Sequence, residues 1–293
     1  MYKRQTVLLA GVALFLVQWV TTFYELAVLF TILGTTAVVA YVPMVEIVSK
    51  NLAYKHRGKA LALISSGTAY GVFANSWIVP HYLNDDHWRG AWDFVGKSTI
   101  ALSILAFLIL AFIAKIQKPN KTIETVAPEK KAKLGVLRNS KAIYILLIMF
   151  FGGVICMSFQ SFLSPYLRQE LNFSVWDTSQ TWMTIAIVGM FGTFIVGWIA
   201  DKTGMLNGLM ICFVFLLITL TIMVFIPIRL FIPTAAICFS LGFNSMFGLI
   251  PAYISQNYSI TETTIVFAAG NIALGLGGVT GNCLLYTSPS PRD

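Results

Sequence analysis

The sequence predicts an all-α fold, a polytopic membrane helical bundle with about nine transmembrane helices, and three observations carry that expectation. The chain is 57% hydrophobic and 11% charged, where soluble domains carry about a quarter charged residues, and its mean hydropathy is +0.77. The apolar residues fall in continuous runs and do not alternate, which selects membrane helices over a β-barrel. Lys and Arg crowd into alternate gaps between those runs, as they do in proteins that cross a membrane repeatedly.

The runs give nine spans, 6–24, 26–47, 59–82, 92–115, 142–166, 177–200, 206–227, 230–255 and 263–282. Each has about 20 residues, enough to cross a core ~30 Å thick. Pro43, Pro227, Pro233 and Pro251 fall inside runs, where membrane helices tolerate proline at the cost of a kink. With Lys50–Lys59 placed on the cytoplasmic side, that side also receives Lys115, Lys118, Lys121, Lys130, Lys131, Lys133, Arg138, Lys141 and Lys202. The opposite side receives only Arg89, Lys97, Arg168 and Arg229. The asymmetry orients the chain.

The longest gap, 118–141, is basic and contains Pro119 and Pro128. It reads as a flexible cytoplasmic linker between an N-terminal half, 6–117, and a C-terminal half, 142–282. Its positive run offers charge to anionic lipid, against the simpler reading of a solvated loop. Both ends read as foreign. Residues 283–293 match one frame of a common transposon-based sequencing adapter, and Tyr2-Lys3-Arg4-Gln5 matches the reverse strand of the same end. Residues 1–5 and 283–293 are therefore expected to stand outside the fold.

One stretch organises the rest. Residues 197–204, Gly-Trp-Ile-Ala-Asp-Lys-Thr-Gly, lie between two apolar runs and read as a tight turn at a membrane surface. Gly197 has no side chain to hold two helices apart. Gly204 can take a positive φ. Asp201 is expected to accept backbone N–H bonds at a helix start. The pattern of Gly197, Asp201, Lys202 and Gly204 resembles the loop signature of the major facilitator superfamily of transporters, although Met205, Leu206 and Asn207 do not supply its trailing basic residues. Arg57-Gly58-Lys59-Ala60, Trp88-Arg89-Gly90-Ala91-Trp92 and Pro251-Ala252-Tyr253 resemble the family's fourth-to-fifth helix junction, the approach to its sixth helix and the end of its tenth. The resemblance covers 6–282. It implies a two-half fold in which the nine spans are helices three to eleven, and a truncated fragment without helices one, two and twelve.

No span carries a charged residue near its middle; Glu46, Asp93, Lys97, Arg168, Glu170 and Asp177 lie near span ends. Intramembrane ionisable groups mark ion pathways, so a coupling proton would act through a residue elsewhere, or the protein is a uniporter or exchanger. The remaining candidates for binding are the polar and aromatic residues inside spans, Tyr41, Asn75, Trp77, Gln160, Trp182, Asn244 and Asn271. The resemblance places them on helices that line a central cavity; the plainer reading is helix–helix hydrogen bonding, worth ~0.6 kcal/mol on average. Glu46, Arg57, Gly58, Gly197, Asp201, Lys202 and Gly204 are the candidate gating set. By the pseudo-symmetry of the resembled fold, Asp201 is expected to meet the start of span 59–82 near Arg57, Gly58 and Lys59. Gly67-x-x-x-Gly71 and Gly277-x-x-x-Gly281 read as seams for close helix packing.

Several classes drop out. Cys156, Cys212 and Cys238 sit inside apolar runs without metal-like spacing and read as packing residues. No nucleotide-binding Gly cluster or zinc spacing is present, so neither cofactor nor metal is expected. The basic residues lie in short loops, which argues against nucleic acid. A membrane-embedded enzyme such as a lipid-modifying acyltransferase would need clustered catalytic residues, and His56, His81 and His87 form no such set. The expected function is therefore transport of a small solute by alternating access. The resemblance points to a small organic anion or metabolite, with efflux of drugs or amphiphiles as the alternative. It also implies a monomer, multi-pass in a bacterial plasma membrane.

Overall fold

The structure, a computed structural model, describes residues 5–51, 54–83, 87–116 and 134–287. Among them are nine α-helices and no strand: α1 Gln5–Leu16, α2 Phe23–Asn51, α3 Tyr54–Leu83, α4 Trp88–Ile116, α5 Ser140–Gln169, α6 Val175–Thr203, α7 Met205–Phe225, α8 Ile232–Asn257 and α9 Ile260–Thr287. Six of these, α4 to α9, are long and apolar enough to cross a membrane. α3 is long but more polar, because Ser65, Ser66, Thr68, Asn75 and Ser76 interrupt its apolar residues.

The first expected span is not one continuous helix. α1 ends at Leu16 and tightens into a 3₁₀ turn over Val17–Trp19 before the chain restarts at Phe23. The break has a local cause. The Glu25 carboxylate accepts from the backbone N–H groups of Thr21 (2.9 Å) and Thr22 (3.2 Å), while the Thr22 hydroxyl accepts from Glu25 N–H. This Thr-x-x-Glu box caps a new helix start in the middle of an apolar run. The same device starts α6 through Ser174 and Asp177 and α9 through Ser259 and Glu262. Two expected kinking prolines are also relocated. Pro227 lies between α7 and α8, and Pro233 sits in the first turn of α8, where its missing N–H costs nothing.

The helices fall into two compact units, Met1–Met44 with His81–Lys131, and Val45–Pro80 with Ala132–Asp293. In the first, α1 lies against α4 across two glycines. A Cβ at Gly96 would come within 2.5 Å of the Phe15 backbone, and one at Gly11 within 2.9 Å of Ile100. Asp93 closes the same interface, accepting from Gln18 Nε2 (3.1 Å) and Lys97 Nζ (2.7 Å). Phe30 of α2 meets Trp92 of α4 edge to face at 6.0 Å.

In the second unit α8 is the core. Phe239, Met246 and Ile254 are almost wholly buried, and α8 packs on both α6 and α7. α5 and α9 form a second tight pair. A Cβ at Gly277 would collide with the Phe150 carbonyl oxygen, and one at Gly153 with that of Leu274, so both helices present glycine and their backbones touch. The Gly277–Gly281 seam is therefore real. The expected Gly67–Gly71 seam has no counterpart among the described residues: nothing there lies within 4 Å of a Cβ at either position. α9 runs on past 282 to Thr287, since the chain meets no helix breaker before Pro289. Tyr286 is 85% exposed, while Leu284 and Leu285 border a hollow beside α5 and α7.

Candidate functional site

The polar residues inside spans separate into three kinds of environment. Asn244 and Trp182 are used in packing. Ser240 Oγ donates to the Ile185 carbonyl across the α6–α8 interface (2.5 Å) and accepts from Asn244 Nδ2 (3.1 Å). Asn244 is 9% exposed and fits because Gly189 faces it; a Cβ there would stand 2.6 Å from Nδ2. Trp182 Nε1 donates to Ser164 Oγ at 2.8 Å and so ties α6 to α5. Ser240 was absent from the residues the sequence singles out. Its hydroxyl four residues before Asn244, one helical turn away, is the signal that marks it.

Gln160 and Asn271 are half-buried and differ in kind. Each donates one N–H to the carbonyl four residues back, Gln160 to Cys156 (3.3 Å) and Asn271 to Phe267 (2.8 Å). Each keeps a side-chain carbonyl oxygen and a second N–H with no partner among the described residues. Asn75 is exposed on α3, on the same face as the open Gly67 and Gly71. Trp77 beside it is 60% exposed. The side chains of Tyr41, Glu46 and Arg57, and the surroundings of Gly58, lie outside the described residues.

The glycine–aspartate stretch is built differently from the turn its sequence suggests. α6 continues through Thr203, so Asp201 and Lys202 occupy its last turn, and Gly204 alone separates it from α7. Asp201 is thus at a helix end and not a helix start. Gly204 has φ +102°, and only glycine adopts that conformation without strain. Among the described residues no atom lies within 4 Å of a Cβ at Gly197, so that glycine mediates no close approach between them. Lys202 Nζ sits 3.7 Å from the Trp198 ring centroid. The contact draws the cation onto an aromatic face at the helix C-terminus, where the dipole also favours it.

The Major Facilitator Superfamily matches the chain over residues 3–282. The chain belongs to this family. No curated protein is matched by the sequence. As a member of this family the protein moves a solute across a membrane, and its family and its six long apolar helices together make it an integral multi-pass membrane protein. Among the described residues no group of His, Cys, Asp and Glu has the arrangement to hold a metal ion.

Proposed function

We propose that this transporter carries a small polar metabolite by alternating access, gripping it through amide hydrogen bonds. The observation behind this reading is the unspent hydrogen-bonding capacity of Gln160 and Asn271, together with the exposed Asn75. An amide held by one N–H to its own helix is oriented, and its carbonyl oxygen and second N–H are left for a solute hydroxyl, amide or carbonyl. An organic anion would require a desolvated cation. Lys97, within α4, is already paired with Asp93 at 2.7 Å, and this favours uncharged polar substrates over anions. The same shortage of ionisable groups favours facilitated movement over coupling to a proton through the described helices. The Lys and Arg asymmetry supports a plasma-membrane orientation with the linker in the cytoplasm.

One feature favours a second reading, efflux of amphiphiles. A hollow of about 460 Å³ lies between α5, α7 and α9, lined by apolar side chains including Val154, Phe159, Phe162, Leu220 and Met223. A thermal-stability screen of the purified transporter against polar metabolites and amphiphiles separates the two. The metabolite reading expects a polar stabiliser whose effect is lost in Asn271→Ala and Asn75→Ala, with uptake of the same compound lost in proteoliposomes. Stabilisation by amphiphiles only, unchanged in both variants and lost in Phe162→Ala, would replace it with the efflux reading. For orientation, a membrane-impermeant thiol reagent should label a cysteine placed at 85 and spare one at 130 in intact cells.

A further inference from the structure

A second hollow, unrelated to the amides above, lies at the end of the bundle where the linker joins α5. It encloses about 290 Å³ between the start of α5, the start of α7 and the end of α8. Ile145, Ile148, Leu206, Leu209 and Ile250 form its apolar wall, and Lys141, Tyr144 and Tyr253 supply its polar atoms. The polar residues are graded along the helix. Lys141 is the second residue of α5, Tyr144 lies one turn further in, and the isoleucines lie deeper. A cavity with a cationic, phenolic mouth and an aliphatic interior is matched to an amphiphile with an anionic head.

The charge around the mouth has one sign. Lys141 and Arg138 are both exposed, and neither forms an ion pair among the described residues. No carboxylate is among the described residues that line the hollow. In the sequence the approach to α5 is basic too, through Lys130, Lys131 and Lys133 with Glu129 as the acid among them. Both cations stand at the positive end of the α5 dipole, where a positive charge is disfavoured until an anion joins it. An anion alone would leave the aliphatic wall unfilled, and a neutral lipid would leave the cations unpaired.

We propose that this hollow binds an anionic phospholipid of the adjoining leaflet, with an acyl chain against Ile145, Ile148 and Leu209 and the phosphate at Lys141. The site lies outside the solute-binding residues, so it holds or fails independently of the transport reading.

Native mass spectrometry of the purified transporter, delipidated and given equal phosphatidylglycerol and phosphatidylcholine, tests it. The expected result is preferential retention of phosphatidylglycerol, reduced about fivefold by Lys141→Ala, the worth of one basic residue near an anionic headgroup. Lys141→Arg should keep the preference, and Lys202→Ala, which removes a lysine outside the hollow, should leave it unchanged. Leu209→Trp should abolish retention by filling the cavity with Lys141 intact. Equal retention of the two lipids overturns the proposal. So does a preference that survives both Lys141→Ala and Leu209→Trp, because the lipid would then be held by the basic linker and not by the hollow. Circular dichroism of each variant separates lost binding from lost fold.

Discussion

Two glycine pairs with the same spacing, Gly277–Gly281 on α9 and Gly67–Gly71 on α3, sit in opposite environments. The first presses backbone to backbone against α5; the second faces open space. The difference lies in the partner. α5 offers its own Gly153 opposite α9, and Met149 and Met157 fill the notches at Gly270 and Gly278. A G-x-x-x-G pattern gives a helix permission to be approached, but contact needs a second flat surface. Where none is present, the same pattern leaves a smooth, polar face, and on α3 that face carries Asn75. The same spacing thus builds rigidity on α9 and access on α3.

The largest expected effect tests that contrast directly. Gly277→Val places a branched side chain against the Phe150 carbonyl oxygen, a backbone atom that cannot rotate away. α5 and α9 would have to separate, at a cost of about 3 kcal/mol or more. A sharply lower unfolding temperature and loss of the monodisperse peak in detergent are expected. Gly67→Ala meets nothing and removes a flexible residue from a helix, so it should stabilise by roughly 0.5–1 kcal/mol. Equal losses from both changes would show that the two seams are packed alike.

A smaller effect separates hydrogen bonds between helices from those within one. Ser240→Ala removes the donor that reaches the Ile185 carbonyl across the buried interface and one of the two Ser240 oxygens that accept from Asn244; about 1–3 kcal/mol is expected. Ser76 Oγ is also buried but bonds only to carbonyls of its own helix, Val72 at 2.6 Å and Phe73 at 3.2 Å. Ser76→Ala should cost nearer the ~0.6 kcal/mol typical of membrane side-chain hydrogen bonds. Unfolding in detergent–denaturant mixtures measures both, and a reversed order would place the tighter polar interface on α3.

The helices were legible because burial in lipid demands long apolar runs, and that demand is written in composition. The break after Leu16 was legible as well, in Thr22-Phe23-Tyr24-Glu25, but a count of apolar residues passes over it: a capping box needs two polar residues and leaves the hydropathy of the run almost untouched. The site was less legible. Polar residues inside spans can be listed, but whether an amide joins a network that crosses to a neighbouring helix, as Asn244 does through Ser240, or bonds only to a carbonyl of its own helix, as Gln160 does, depends on which residue faces it across the interface. Gly189 makes room for Asn244 from 55 positions away, and nothing local to Asn244 announces it. Gly204 shows the reverse. Its conformational role was readable from its type, yet the extension of α6 to Thr203 moved Asp201 from the expected helix start to a helix end, because Asp-Lys-Thr continues a helix that only Gly204 stops.

That displacement gives the smallest and most discriminating prediction. As a free carboxylate in the last turn of α6, Asp201 stands where the helix dipole is negative, an unfavourable placement worth about 0.3–1 kcal/mol at an exposed site. If nothing else meets it, Asp201→Asn should raise the stability of the transporter slightly and leave its conformational balance alone. If Asp201 reaches the start of α3 in one state of the transport cycle, the sign inverts. The first described residue of that helix is Tyr54, more than one turn before Lys59, and the N–H groups free to meet a carboxylate are those of a helix's first turn. A carboxylate arriving there would exchange the unfavourable end of one dipole for the favourable end of another. Removing its charge would then weaken the closed gate and shift a two-state equilibrium severalfold toward the open form. Cysteine pairs at 201 and 54 and at 201 and 58, in a background without Cys156, Cys212, Cys238 and Cys283, decide between the outcomes. Crosslinking at 54, faster than at 58 and lost when substrate holds the gate open, supports the latch with its contact moved one turn toward the helix start. Absence of both crosslinks, with a stabilised Asp201→Asn, leaves Asp201 as an exposed carboxylate at the end of α6.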